Sequence, residues 1–186
     1  MEYAAFEELK TPRLLLRKLR REDLREYNGL ASSEAVTCHM LWKPHADLAE
    51  SAASIEKTLT RYETGKCYRW AISLQESDTL IGIIDLLGFD EEKNTCSFAY
   101  MITENCWGKG YGTEALMAAL NFAFVKLKVV AVEADHFAMN PASGAVMRKA
   151  GMKCCGTVPG KYEKNGIKHD AIQYRITQKE WENGIS

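Results

Sequence analysis

Long apolar runs are missing from this sequence. No stretch approaches the ~20 residues that cross a bilayer, and the opening Met-Glu-Tyr-Ala-Ala-Phe-Glu-Glu carries acids where a secretory leader carries basic residues before an apolar segment. Both absences point to a cytoplasmic address and no membrane partner. An excess of one charge is missing too. Its 24 Lys and Arg against 25 Asp and Glu give a formal net charge of −1, so no overall field draws in nucleic acid. The six cysteines (Cys38, Cys67, Cys96, Cys106, Cys154, Cys155) contain no C-x-x-C pair, and two are adjacent. They read as reduced thiols, mostly small buried hydrophobes, rather than as three disulfides. Nor do His39, His45 and His169-Asp170 make a metal-ligand pattern. Repeats, low-complexity tracts and Pro/Gly-rich linkers are also lacking, so residues 1–186 read as a single domain. A chain of this size buries roughly 70% of its unfolded surface.

What is present alternates between two periodicities. Leu14–Leu19 reads as a first strand and Asp23–Ser32 as a short helix. Asp47 is placed to cap a longer helix with apolar positions Leu48, Ala52, Ile55, Leu59 and Tyr62. Strand-like runs follow at Tyr68–Leu74, Leu80–Gly88 and Thr95–Thr103, with a polar turn at Asp90–Asn94. Leu116, Leu120, Ala123 and Leu127 trace one face of a helix over Thr113–Lys126, and Val129–Asp135 is β-branched. Asn140-Pro141 pairs a cap with a first-turn proline, and Gly151 ends that helix. Met152–Val158 and His169–Ile176 are the last strands, joined across Lys164-Asn165-Gly166. Strands, helices and a βαβ unit around Thr95–Asp135 give an α+β, mixed α/β architecture. The cluster Arg13, Arg17, Lys18, Arg20, Arg21 and Arg25 reads as a solvated strand and loop.

The most informative stretch is Trp107-Gly108-Lys109-Gly110-Tyr111-Gly112-Thr113, lying between a strand and a helix. Alternate glycines permit positive φ and let a ligand approach the backbone. The amides opening the next helix lack internal partners, and the positive end of its dipole adds to them. Together they suit a phosphate or diphosphate, with Lys109 as a cation at the rim. A P-loop is excluded, because no Lys-Ser or Lys-Thr follows four spacers. A dinucleotide fingerprint needs G-x-G-x-x-G near a first strand, and this G-x-G-x-G lies deep in the chain. A glycine-rich turn serving geometry alone stays open.

The loop has company in the right order. Leu9-Lys-Thr-Pro-Arg-Leu-Leu-Leu-Arg17 with Asp23-Leu24, Leu80–Ile84, Ala99–Ile102, Trp107–Leu116, and Asn140-Pro-Ala-Ser143 with Lys149–Met152 together resemble the GNAT N-acetyltransferases, in particular the RimJ/RimL-like branch. That resemblance implies a bent, mostly antiparallel sheet flanked by helices, splayed open between the Thr95–Thr103 and Val129–Asp135 strands. It also implies acetyl-CoA as co-substrate, an amine acceptor and no metal. The pantetheine would bond the backbone of Met101, Ile102 and Thr103. The diphosphate would lie at Lys109, Gly110, Tyr111, Gly112 and Thr113, with Trp107 and Gly108 also among the cofactor-binding residues. Asn140 and Ser143 would stand at the thioester as cofactor-binding and catalytic residues. A homodimer is compatible with the sequence but not specified by it.

Three positions depart from the family pattern. Trp107 replaces the usual Gln or Arg, Ser97 a strand glutamate that often serves as base, and Met147 a tyrosine that often serves as acid. Ser143, one turn before Met147, shares its helix face and is expected to take the acid role. Asp85, Glu133 or Glu163 remain as carboxylates for the base. Loss of the usual base favours an amine of low pKa, such as a peptide N-terminus. The alternatives are a small-molecule amine acceptor or a weakly active CoA-binding domain.

Overall fold

A computed structural model describes residues 4–65 and 67–184, which leaves the acidic opening Met1–Tyr3 outside. Among the described residues, eight strands form one sheet in the order β1-β2-β3-β4-β5-β6-β8-β7. They are β1 (Leu9–Lys10), β2 (Leu14–Arg17), β3 (Tyr68–Leu74), β4 (Leu80–Asp90), β5 (Thr95–Ile102), β6 (Ala131–Phe137), β7 (Lys153–Lys164) and β8 (Ile167–Thr177). Every pairing is antiparallel except β5 with β6. Their link is a helix, as a parallel crossover demands. The helices are α1 (Leu24–Ala31), α2 (Glu34–Thr37), α3 (Leu48–Glu63), α4 (Tyr111–Val125), α5 (Pro141–Lys149) and α6 (Gln178–Gly184). Among the described residues, no helix is long and apolar enough to cross a membrane.

Strand alternation splits the core into two layers. Leu14, Leu16, Tyr68, Trp70, Ile72, Ile84 and Phe98 pack toward Ala115, Leu116, Ala119 and Phe122 of α4. The opposite set, Leu19, Ala71 and Ile83, packs toward Tyr27, Leu30 and Ile55 of α1 and α3. A salt bridge closes the second layer at one end. Arg17 donates to both carboxylate oxygens of Asp23 at 2.8 Å, and its Nε donates to Asp78 at 2.6 Å.

Caps and turns follow from chemistry that is local to a few residues. Asp47 caps α3 by accepting from the Glu50 amide at 2.9 Å. Asn140 caps α5 with proline in its first turn. Asn165 and Gly166, both at positive φ, turn β7 into β8. Other bounds moved. The strand expected first, over Leu14–Leu19, is β2; it stops at Arg17, whose side chain turns inward to its carboxylates, and a short β1 precedes it. The run after α4 begins its pairing at Ala131 rather than Val129 and continues to Phe137. The strand expected at Met152–Val158 extends, with register shifts, to Lys164. In α3 the expected apolar stripe departs from the observed burial at three residues. Leu48 is half exposed, whereas Ser51 and Thr58 are buried. Those hydroxyls take core positions because partners wait for them: Asn28 and His45 at Ser51, and Arg69 at Thr58.

Candidate active site

The one parallel pair in the sheet is only half zipped. β5 and β6 are in register at Thr95↔Ala131, Cys96↔Val132 and Ser97↔Glu133, and there the pairing stops. Beyond it, Phe98–Ile102 and Ala134–Phe137 diverge and line a cleft of about 1330 Å³. The cleft is also lined by the turn before α4, the first two turns of α5, and the 35–42 segment.

Ladder parity decides which backbone groups face the gap. The Thr103 amide donates to Ile81 O of β4 at 2.8 Å, and β4 and β5 stay in register from Gly82↔Ile102 to Leu87↔Ser97. Alternation therefore turns the main chain of Met101 and Thr103 to β4, and that of Phe98, Tyr100 and Ile102 to the gap. The Ile102 carbonyl is taken, since Trp107 Nε1–H donates to it at 2.7 Å. Trp107 thus ties the glycine turn to β5. Of Met101, Ile102 and Thr103 only Ile102 turns its main chain to the gap, together with Phe98 and Tyr100. Counting parity from a strand end gives them, once that end is known.

The turn has the form that its glycines suggest. Gly108 and Gly110 take φ of +72° and +83°. Gly110 is the N-cap of α4 and supplies no side-chain cap, and the first bond into the helix runs from the Glu114 amide to Gly110 O at 3.0 Å. The amides of Tyr111, Gly112 and Thr113 precede that bond, at the positive end of α4. All three residues, with Gly108, Gly110 and Trp107, line the cleft. Lys109 and Thr103 lie outside the lining. An ion pair fixes the turn from behind. Arg13 donates to Glu114 at 2.7 Å and to Lys109 O at 2.9 Å, and its guanidinium lies 4.5 Å from the Tyr111 ring centroid. Burial works against the Glu114 carboxylate, but Thr11 and Arg13 outweigh it and hold its pKa below the ordinary value.

On the α5 wall, Asn140 Oδ1 accepts from the Ser143 amide at 3.3 Å, so its oxygen serves as a helix cap. Ser143 Oγ accepts from Tyr100 Oη at 3.4 Å, which joins β5 to α5 across the gap. Burial raises the Tyr100 pKa, and the Ser143 bond opposes that only in part. The phenol therefore keeps its proton at neutral pH. Met147 is buried and offers no proton. Cys96 is a core residue whose thiol burial pushes up to about 12, so it is inert, while Cys106 lines the cleft.

The carboxylates differ in place. Asp85 is held by Arg69 at 2.7 and 3.0 Å, and Glu163 is outside the lining. Glu133 lines the cleft 3.4 Å from Arg175. Asp135 also lines it and accepts from Lys161 and Tyr162. Lys164 Nζ donates to the carbonyls of Thr37, Cys38 and Met40 at 2.8–2.9 Å, pinning the 35–42 segment that lines the cleft. Burial first, then the Lys164 and His136 charges, hold the His39 pKa below its ordinary value.

An acetyltransferase (GNAT) domain profile matches residues 13–153. The chain belongs to the GNAT acetyltransferases. GNAT relatives span its length. An uncharacterized N-acetyltransferase of Bacillus licheniformis, p20, is 25% identical over 94% of this chain and 98% of its own. YdaF of Bacillus subtilis, named provisionally as a ribosomal N-acetyltransferase, is 29% identical over 56% of this chain and 57% of its own, in keeping with the RimJ/RimL-like resemblance. A Vibrio cholerae spermidine N-acetyltransferase solved with CoA and spermine superposes with a TM-score of 0.79 at 21% identity, covering 93% of this chain and 100% of that one. The half-zipped β5–β6 pair is therefore part of a GNAT fold, and the protein is an N-acetyltransferase.

Proposed function

We propose that this GNAT enzyme moves the acetyl group of acetyl-CoA to the α-amine of a peptide N-terminus. The observation that carries the reading is the gap between β5 and β6, with its free strand edge at one side and the uncapped α4 amides at one end. A linear molecule with a diphosphate at one end and amide-bearing pantetheine at the other matches both sets of donors. The Vibrio cholerae neighbour, solved with CoA, supports CoA as the kind of ligand this fold takes. In this reading the diphosphate rests on Tyr111–Thr113, the pantetheine continues β5 at Phe98, Tyr100 and Ile102, and Asn140 and Ser143 flank the thioester. Ser143, backed by the Tyr100 phenol, hydrogen-bonds the leaving sulfur. Direct attack requires the amine within about 3–3.5 Å of the carbonyl carbon, which is an effect of orientation.

The acceptor follows from charge and shape. No carboxylate stands at Ser97, and an α-amine is roughly 10% neutral at pH 7 against about 0.04% for a lysine amine. Leu41 and Met139, 60% and 61% exposed, line the cleft and offer apolar contact to the residues behind a peptide end. A polyamine acceptor is a second reading, favoured by Glu133 and Asp135 in the lining and by the spermine-bound neighbour. Against it, both carboxylates already have cationic neighbours.

Thiol release from acetyl-CoA, measured with peptides of free N-terminus, N-blocked lysine peptides and spermidine, decides the acceptor. The free N-terminus is expected to give the highest kcat/KM, and a higher value for spermidine would overturn the assignment. Replacing Ser143 with alanine is expected to lower kcat by roughly 10²-fold with little change in acetyl-CoA KM. Asn140→Ala is expected to remove ~1 kcal/mol of stability as well as slowing turnover. Unchanged turnover in both variants would remove these residues from the mechanism.

A further inference from the structure

Neither Ser97 nor Met147 can carry a proton between amine and thiolate, yet the cleft holds a group that can. His136 is on β6, 7% exposed, and lines the cleft. Its Nδ1 lies 2.7 Å from the Phe137 carbonyl. A carbonyl only accepts, so Nδ1 carries the hydrogen, and in the neutral ring Nε2 holds the lone pair. Among the described residues, Nε2 is one of three buried side-chain polar atoms without a partner. Such an atom is costly unless something arrives to bond it.

The wall opposite is built to leave it room. Gly144 sits inside α5, where glycine costs about 1 kcal/mol relative to alanine. A Cβ there would stand 2.6 Å from Nε2 and 3.0 Å from Tyr174 Oη. Gly144 immediately follows Ser143 in α5, so Nε2 lies against the first turns of that helix. Close by, the Tyr174 ring centroid is 5.7 Å from that of the imidazole, and its Oη accepts from Arg148 at 2.7 Å.

We propose that His136 Nε2 is a catalytic proton carrier, serving as base to the attacking amine and acid to the departing thiolate. In the tetrahedral intermediate the entering nitrogen and the leaving sulfur are bonded to the same carbon, so one imidazole reaches both, as one does in the serine hydrolase triad. As the N–C bond forms, the nitrogen gives a proton to the Nε2 lone pair. As the C–S bond breaks, its electron pair goes to sulfur and the imidazolium returns the proton there, with Ser143 Oγ–H bridging. The products are the amide and the free thiol, and the ring ends neutral.

The proposal rests on acetyl-CoA being the donor, and the test separates the two claims. Thiol release by the unaltered enzyme reports on the donor. For His136→Ala, kcat is expected to fall roughly 10²-fold while acetyl-CoA KM and CoA binding stay close to those of the unaltered enzyme. Added imidazole should restore turnover, and weaker azole bases should restore less, in the order of their basicity. A cavity-filling role would show no such order. Full kcat in the variant, or rescue independent of basicity, would overturn the proposal. Should the variant fail to fold, ¹⁵N-imidazole spectra of the unaltered enzyme decide instead. The Nε2 resonance of His136 is expected to move when CoA is added, and an unmoved resonance contradicts the role.

Discussion

Arg17→Ala is expected to lower the unfolding free energy by about 3–5 kcal/mol, because it strands a buried carboxylate. The Arg17 and Asp23 side chains are 2% and 8% exposed and meet in a two-pronged contact. Asp23 also accepts from the Arg20 amide at 2.8 Å, so the same carboxylate organises the entry to α1. Removing the guanidinium leaves Asp23 buried without its counter-charge, and the N-terminal strand loses its tie to Asp78. Exposed Arg21, paired with Glu56 on the surface, provides the contrast: Arg21→Ala is expected to cost far less, because solvent screens that pair. Urea unfolding of the two variants checks the ratio. Equal losses would mean that the buried pair contributes no more than a surface one.

The second large effect is expected at the glycine turn. Gly110→Ala places a side chain at φ +83°, with its Cβ 3.4 Å from Arg13 Nη2. The backbone strain costs ~1–2 kcal/mol. Relieving it rotates the α4 amides away from the diphosphate, and two charge-assisted hydrogen bonds at about 1.5 kcal/mol each amount to roughly 100-fold in affinity. Gly166→Ala imposes similar strain, at φ +77°, in the hairpin turn between β7 and β8. It is expected to destabilise the protein while leaving acetyl-CoA KM unchanged. If both variants change KM alike, the turn acts through general stability and not through its amides.

The parts of this molecule that can be read from sequence are those whose chemistry is complete within a few residues. Asp47 with Glu50, Asn140 with Pro141, and Asn165 with Gly166 each satisfy their own backbone, so cap and turn follow from the letters. The glycine turn is legible for the same reason. Ser51 and Thr58 defeat the helical stripe because the partners that make their burial tolerable come from α1, β3 and the loop before α3. The three-carbonyl grip of Lys164 on the 37–40 segment joins residues more than 120 positions apart. His136 is the sharpest case. As a letter in Ala-Asp-His-Phe it reads as a strand-end histidine. Only the fold brings Gly144 against Nε2 and withholds a partner. Ser97 and Met147, by contrast, declare in the sequence that the usual base and acid are gone, without saying what replaces them.

Main-chain amides at the start of α4 are expected to grip the diphosphate of CoA. Calorimetric titration of the unaltered protein with CoA, with its 3′-dephospho form and with pantetheine tests this most directly. The first two keep the diphosphate and are expected to bind, whereas pantetheine, which lacks it, is expected to bind at least 100-fold more weakly, on the order of two charge-assisted bonds. Pantetheine binding as tightly as CoA, or no heat with any of the three, would contradict the account.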